Sequence, residues 1–184
     1  MLEDISNTNF NERLSVDESK FTSEGNENIW VIGVINNCTK QFRLEISKIR
    51  NSNVLKKFIF AYVKPGNIIV SDWWAGYDFL SENNSPYVHS VHNHGHGDFG
   101  IGLDSTSHIE QLWSQLKSTI SKIYTIIPSK NFYLYLKEAE FRLKIKNLSN
   151  KEKIIELIDI FNYIRNINLI DLYNYNYLIK FAEI

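Results

Sequence analysis

The sequence predicts an α/β fold in which a mixed β-sheet is covered by helices. Over residues 13–46, apolar residues either alternate with polar ones or form one short continuous run, and both patterns are typical of strands. Farther along, strand and helix patterns alternate. Residues 105–117 and 131–142 place apolar side chains every three or four positions, as amphipathic helices do. Strands first and alternation later favour one sheet with helices packed on it.

Three strands in succession are expected at the start of the chain. Residues 13–19 alternate and end in two acids, and residues 29–35 form the apolar run of a strand buried on both faces. Residues 40–46 alternate after a turn at residues 36–39 and are expected to pair antiparallel with the preceding strand. Residues 1–12 are polar and without periodicity, so we expect a flexible N-terminal arm.

Helices and strands are expected to alternate in the middle of the chain. Residues 54–61 predict a helix, and the turn at Pro65 ends it. Residues 68–70 then predict a buried strand with Asp72 at its C-terminal end. A short helix over residues 73–80 and a strand over residues 87–91 follow.

The remainder of the chain predicts helices. They are expected over residues 105–117, 131–142, 154–164 and 169–181. The sequence contains no internal repeat and no convincing linker. We therefore expect one domain over residues 13–147, with a C-terminal helical extension over residues 148–184 that packs on it.

The composition is that of a globular protein. Of 184 residues, 43% are hydrophobic and 14% are aromatic, which excludes disorder throughout. A lone cysteine, Cys38, excludes a disulfide framework and a cysteine zinc site. No stretch has the pattern of a signal peptide or a membrane span. We expect an intracellular protein with no membrane partner, in the nucleus of a eukaryote or the cytoplasm or nucleoid of a bacterium.

The net charge of −1 is unevenly distributed. Residues 1–30 contain seven acidic and two basic side chains, so the rest of the chain is weakly basic. That basicity fits an ordinary solvated surface as well as it fits a DNA-binding one.

Three acids lie at the ends of predicted elements. Asp17 follows the first strand, Asp72 ends a later one, and Glu110 begins a helix. Carboxylate oxygens bind Mg²⁺ or Mn²⁺, and two such ions can activate the attacking oxygen and stabilise the leaving oxygen of a phosphoryl displacement. Local explanations stay open: Ser107 and Glu110 fit a capping box, Asp72 an N-cap, and Asp17 an exposed strand end.

Four histidines are close in sequence: His89, His92, His94 and His96. Imidazoles can bind zinc, but a fixed site usually draws its ligands from more than one rigid element, and this cluster lies mostly on a glycine-rich loop. We favour His94 as a contact to a phosphate or nucleophile over a dedicated zinc site.

Five sequence blocks occur in order between residues 16 and 142. They are Val-Asp-Glu-Ser at 16–19, Ser-Asp-Trp-Trp-Ala-Gly-Tyr at 71–77, a segment with Tyr, His and Val-x-Asn-His at 87–94, Ile-Glu-Gln-Leu-Trp-Ser-Gln-Leu-Lys at 109–117, and Tyr-Leu-Lys-Glu-Ala-Glu-Phe-Arg at 135–142. Together they resemble the insertion-sequence DDE transposases, specifically the ISXO2-like transposase domain.

This resemblance implies an RNase H-like fold in which Asp17, Asp72 and Glu110 are catalytic and bind two Mg²⁺ or Mn²⁺ ions. The implied reaction is attack of water on a phosphodiester at a transposon end, followed by attack of the freed 3′-hydroxyl on target DNA. The implied partners are the transposon ends, the target DNA and further copies of the chain in a homo-oligomer.

The resemblance also implies DNA contacts. Lys117 lies on the same helix edge as Glu110, and Asn93 and His94 belong to the third block.

Two secondary candidates are Glu18 and Arg142. Glu18 stands beside the first acid. Arg142 can pair with Glu138 at the i, i+4 spacing, which we favour, or contact DNA. Trp113 is expected in the core.

The chain also departs from the pattern of the family. Ser107 stands where the family usually has an Asn, and the basic glycine-rich loop after the first block is reduced to residues 20–25. A second hypothesis is therefore a degenerate or domesticated transposase fragment that binds DNA or protein without catalysis. A third is an unrelated α/β domain whose acids are helix caps.

Overall fold

The alternating and apolar segments form a mixed sheet with helices on both faces. The structure is a computed structural model that describes residues 11–93 and 100–166. Within these residues the strands are β1 Arg13–Thr22, β2 Asn28–Asn36, β3 Phe42–Ser47, β4 Ile68–Asp72 and β5 Val88–His92. The α-helices are α1 Ser52–Tyr62, α2 Ser107–Ile123, α3 Phe132–Lys144 and α4 Asn150–Asn166, and 3-10 helices span Glu24–Asn26, Ala75–Ser81 and Ser129–Asn131.

The strand order in the sheet is β3-β2-β1-β4-β5, so β1 lies at its centre. β2 and β3 pair antiparallel, as predicted, and β1 also pairs antiparallel with β2. β4 lies parallel to β1, and β5 lies parallel to β4. Parallel neighbours need a crossover connection; α1 lies in the first crossover, and the 3-10 helix Ala75–Ser81 lies in the second. The predicted mixed sheet is confirmed.

The first strand is longer than predicted, which changes the position of the first acid. β1 continues to Thr22, so Asp17 lies in the middle of the strand rather than at its end. Asp17 and Glu18 point to opposite faces of the sheet, and each accepts a hydrogen bond there, from Trp113 and from Tyr77 respectively. Because buried polar groups are tolerated when they are hydrogen-bonded, the strand can continue through both acids.

Alternation along β1 divides its apolar side chains between two clusters of the described residues. On the first face of the sheet, α1 and the 3-10 helix Ala75–Ser81 cover a cluster that includes Leu14, Val16, Leu55, Ile59, Ile69 and Tyr77. On the second face, α2 and α3 cover a cluster that includes Phe21, Val31, Leu44, Ile109, Leu116 and Leu136. The central strand therefore joins the two cores.

The C-terminal helices agree with the expectations where the structure describes them. α2 and α3 start within two residues of the predicted positions. α4 exposes Ile154, Ile155 and Ile158. Residues 169–181 and 1–10 lie outside the described residues, so the packing of the extension and the arm remains a prediction. In the described ranges no helix combines the length and hydropathy needed to cross a bilayer.

Gly33 allows α2 to approach the sheet closely. It pairs with Asp17 across β1 and β2. A Cβ atom at Gly33 would lie 2.6 Å from Cη2 of Trp113 and 3.0 Å from Cδ2 of Leu44, well inside ordinary contact distance. The indole of Trp113 therefore occupies the space that any other residue at position 33 would fill.

Gly33→Ala is expected to destabilise the protein by about 1–3 kcal/mol, because overpacking forces the indole or the helix to move. Urea unfolding measures this change. In a Trp113→Phe background the smaller ring leaves room, so the same substitution should cost markedly less in a double-mutant cycle. Equal costs in the two backgrounds would show that Gly33 does not act through Trp113.

Candidate active site

The parallel pairing of β1 with β4 brings two of the predicted acids side by side. The ladder aligns Ser15 with Val70. Continued for two residues, it places Asp17 beside Asp72, and because alternate residues share a face, both lie on the second face of the sheet. Burial raises the pKa of Asp17, and the charge of Asp72 adds to the rise, as expected of neighbouring carboxylates.

Asp17 is held by the helix that covers it. Nε1 of Trp113 donates a hydrogen bond to Oδ2 of Asp17 at 2.8 Å, and the indole is only 5% exposed. Burial raises the pKa of Asp17 to about 7, the charges of Glu18 and Asp72 act in the same direction, and the bond from Trp113 acts against them. Near neutral pH a nearby cation would therefore favour the ionised form.

Glu18 lies on the opposite face and belongs to a different set of contacts. Its side chain is buried, Oε1 accepts from Nε of Arg50 at 3.1 Å, and Oε2 accepts from the hydroxyl of Tyr77 at 2.8 Å. Burial raises its pKa, although the bonds from Tyr77 and Arg50 oppose the shift. Glu18 therefore stabilises the first face and is separated from Asp17 by the backbone of β1.

Asp72 ends β4 and also serves the turn that follows. Its Oδ1 accepts from the backbone N–H of Trp74 at 3.2 Å. The N-cap interpretation thus describes one of its contacts, although Trp74 and not Asp72 stands at the N-cap of the 3-10 helix. A carboxylate has about four acceptor positions, so one bond to a turn leaves it able to bind a cation.

Glu110 lies in the first turn of α2, one turn before Trp113. The capping-box interpretation is wrong, because α2 begins at Ser107 with Thr106 at the N-cap, which moves Glu110 one position past the one that a capping box requires. Oγ1 of Thr106 donates to Oε1 of Glu110 at 2.9 Å. Within residues 11–93 and 100–166, no three His, Cys, Asp or Glu side chains form a group that could hold a metal ion. The structure thus places Asp17 beside Asp72 and Glu110 on α2, but it does not bring the three carboxylates into one such group.

A cleft of about 360 Å³ opens beside Asp72. It is lined by Asp72, Trp73, Trp74, Asp78, Ser81, His89, Val91 and Asn93. The ring of His89 is fixed between two hydroxyl groups, with Nε2 2.9 Å from Oγ of Ser71 and Nδ1 2.8 Å from Oγ of Ser81. Burial lowers the pKa of His89, so its imidazole is neutral at pH 7.

The remaining predicted contacts are placed as follows. Lys117 is exposed on α2, and its Nζ lies 5.4 Å from the centre of the Phe21 ring. Asn93 lies at the rim of the cleft just after β5, and His94 lies outside the described residues. Nη2 of Arg142 donates to Oε1 of Glu138 at 2.7 Å, so the favoured i, i+4 pair forms.

The described histidines do not support a shared metal site. His89 contacts Ser71 and Ser81, whereas Nε2 of His92 lies 3.6 Å from Oδ1 of Asp104. His89 and His92 are three residues apart on β5, which places their side chains on opposite faces of the sheet.

Several residues of the site lay beyond sequence reasoning. Trp113 was expected in the core, where it is, but its hydrogen bond to Asp17 was not anticipated. The sequence also does not indicate that Arg50 and Tyr77 are the partners of Glu18. The sequence feature that predicts such donors is the pair of adjacent acids in one strand. Each acid in a central strand needs a hydrogen-bond donor from the element that covers its face.

Comparisons with known proteins agree with this geometry. The family model described as the ISXO2-like transposase domain matches residues 7–144. A protein of Haemophilus influenzae named "uncharacterized transposase-like protein" is 27% identical over 120 residues, which cover 64% of this chain and 91% of that protein.

Three of the solved structures similar to this chain are viral integrase or intasome structures. The HTLV-2 integrase catalytic core in complex with magnesium matches in its dimeric form with a TM-score of 0.53 and 12% identity, covering 76% of this chain and 88% of that one. Its trimeric form matches with a TM-score of 0.52 and 14% identity, covering 79% of this chain and 93% of that one. A chain of the simian T-cell lymphotropic virus intasome in complex with PP2A regulatory subunit B56 gamma matches with a TM-score of 0.55 and 17% identity. The match covers 76% of this chain and 50% of that one. This chain thus spans about half the length of the matched intasome chain. Integrase cores have an RNase H-like fold, so that prediction is confirmed.

The pKa of Asp17 predicts how stability depends on pH. The folded-state pKa of about 7 lies above the ordinary value of 3.8, so between these values the folded protein retains a proton that the unfolded chain has lost. The stability contributed by protonated Asp17 is complete below about pH 4 and is lost as the pH rises through 7. Asp17→Asn stays neutral and should be more stable than the wild type at about pH 8, by about 2 kcal/mol after allowance for partial exposure.

Urea unfolding of both proteins in EDTA, at about pH 5 and about pH 8, measures this difference. Asp159→Asn, which removes an exposed acid of α4, is the control and should follow the wild type. An Asp17→Asn protein that loses as much stability as the wild type between the two pH values would contradict the assignment.

Proposed function

Because this chain belongs to the ISXO2-like transposase domain family, we propose that it is the catalytic domain of a DDE transposase that cleaves and joins DNA by metal-dependent phosphoryl transfer. Asp17, Asp72 and Glu110 are its proposed catalytic residues. The observation that supports this most strongly is the partly buried acidic pair, Asp17 and Asp72, on adjacent parallel strands beneath the helix that carries Glu110.

The acidic pair fits a divalent cation. Burial and like charge hold the pKa of Asp17 at about 7, and a cation would remove that repulsion. Carboxylate oxygens are the ligands that Mg²⁺ and Mn²⁺ prefer. Asp17, Asp72 and Glu110 would hold two such ions, which supply Lewis-acid stabilisation and an activated attacking oxygen when bound.

The side chains of this protein have their own tasks in that reaction. Trp113 fixes the orientation of Asp17 and favours its ionised form. Lys117, exposed on the helix of Glu110, can move from the Phe21 ring to a DNA phosphate. Glu110 would exchange the hydroxyl of Thr106 for the cation.

The proposed partners are DNA and further copies of the chain. The similar HTLV-2 integrase core was solved with magnesium, as a dimer and as a trimer. These relatives support a divalent ion as cofactor and an oligomer as the active form. Asn93, at the rim of the cleft beside Asp72, remains a proposed DNA contact, and His94 is proposed on the family resemblance alone.

One observation favours the second candidate, a domain that binds DNA or protein without catalysis. In the described part of the chain, no three acids stand close enough to bind one ion, and Glu110 is hydrogen-bonded to Thr106. The two candidates differ in whether a cation is bound and whether DNA is then cut.

Asp72→Asn separates them. We expect the wild type to bind Mn²⁺ in calorimetry and to nick supercoiled DNA when Mn²⁺ is present. Asp72→Asn keeps the acceptor for the N–H of Trp74 but loses the charge, so Mn²⁺ binding should weaken by roughly tenfold or more and nicking should disappear.

Asp78→Asn is the matched control, because Asp78 lines the same cleft and is exposed on the 3-10 helix. It should leave Mn²⁺ binding and nicking close to the wild-type values. Mn²⁺ binding without nicking would indicate a retained metal site in a non-catalytic domain. A wild type that binds no Mn²⁺ would reject the catalytic proposal.

A further inference from the structure

Trp73 lies beside a predicted catalytic acid and is unusually exposed for a large aromatic residue. It directly follows Asp72, and 67% of it is exposed. Its neighbours Trp74 and Tyr77, by contrast, pack edge-on against each other. Trp73 lines the same cleft as Asp72.

The backbone that carries Trp73 is anchored by its neighbour. The guanidinium of Arg50 stacks 3.8 Å from the centre of the Trp74 ring, and Arg50 is itself paired with buried Glu18. Tyr77 packs edge-on against Trp74 at 5.9 Å. A Cβ atom at Gly76 would lie 2.2 Å from the Trp74 ring, so glycine is needed for this packing. Trp74 is therefore fixed, and Trp73 is held outward.

The cleft next to Trp73 suits a neutral planar group. Asp72 and Asp78 would repel a phosphate that entered it. Ser81 and Asn93 instead place hydroxyl and amide groups where they can contact the edge of a ring. An aromatic face beside such groups is the usual arrangement for holding an unpaired nucleobase.

We propose that Trp73 stacks on an unpaired nucleobase of DNA held at the cleft beside Asp72. An unpaired base offers a free face for stacking, whereas both faces of a base pair inside the duplex are already stacked. The proposal rests on the proposed function for the presence of DNA at this site. Trp73 thereby selects DNA that is frayed, single-stranded or flipped next to the reacting bond.

Fluorescence anisotropy tests this with three short labelled duplexes: one with a single-stranded extension, one with the same extension made abasic, and one with blunt ends. EDTA prevents cleavage. The wild type should bind the extension with bases roughly tenfold more tightly than the other two. Trp73→Ala should lose that preference, and Trp73→Phe should retain most of it because it keeps an aromatic face.

Phe60→Ala is the matched control, since Phe60 is an aromatic residue of α1 with 50% exposure. It should keep the preference. A wild type that binds all three duplexes equally, or a Trp73→Ala protein that keeps the preference, would overturn the proposal. So would a loss of preference that Trp73→Phe does not restore.

Calorimetry with Mn²⁺ separates this proposal from the proposed function. Trp73→Ala should bind Mn²⁺ like the wild type, because it removes no carboxylate. If the wild type prefers unpaired bases but binds no Mn²⁺, base stacking stands and catalysis is rejected. If it binds Mn²⁺ and nicks DNA without a preference for bases, only the stacking proposal fails.

Discussion

The hydrogen bond from Trp113 to Asp17 connects the covering helix to the central strand, and much of the site depends on it. The indole can reach Asp17 only because Gly33, opposite Asp17 on β2, leaves room for its ring. Phe21 packs edge-on against the same indole at 6.4 Å. These contacts fix the height and rotation of α2 over the sheet. They thereby determine where Glu110, one turn earlier, can approach the acidic pair.

The two-residue period of β1 assigns different tasks to its adjacent acids. Asp17 faces α2, whereas Glu18 faces the first face of the sheet and is paired with Arg50. Arg50 in turn stacks on Trp74, which follows Asp72 by two residues. The acid that does not face the proposed metal site therefore still helps to hold the end of β4. A one-residue slip of β1 would exchange these roles and disrupt both faces together.

The sequence predicted the mixed sheet, the antiparallel pairing of β3 with β2 and the main helices, because hydrophobic periodicity records which face of each element is buried. It missed that Asp17 lies inside β1, since the donor that stabilises it is 96 residues away. The partner of Glu18, Tyr77, is 59 residues away. The capping box failed because a shift of one residue in the start of α2 changes which side chain reaches the cap. Local patterns locate elements, but long-range polar partners depend on how the elements pack.

The energetics of Asp17 bear on whether the site is functional. Burial raises its pKa to about 7, so keeping it ionised at neutral pH costs folding free energy. An Asn at this position could also accept the N–H of Trp113 and would carry no such cost. A purely structural role would therefore favour the amide over the acid. An ionised carboxylate at this position therefore indicates that its charge has a function. The sheet geometry offers one, a cation bound jointly by Asp17 and Asp72. The presence of Asp17, which destabilises the fold at neutral pH, thus supports a role in cation binding rather than a role in folding.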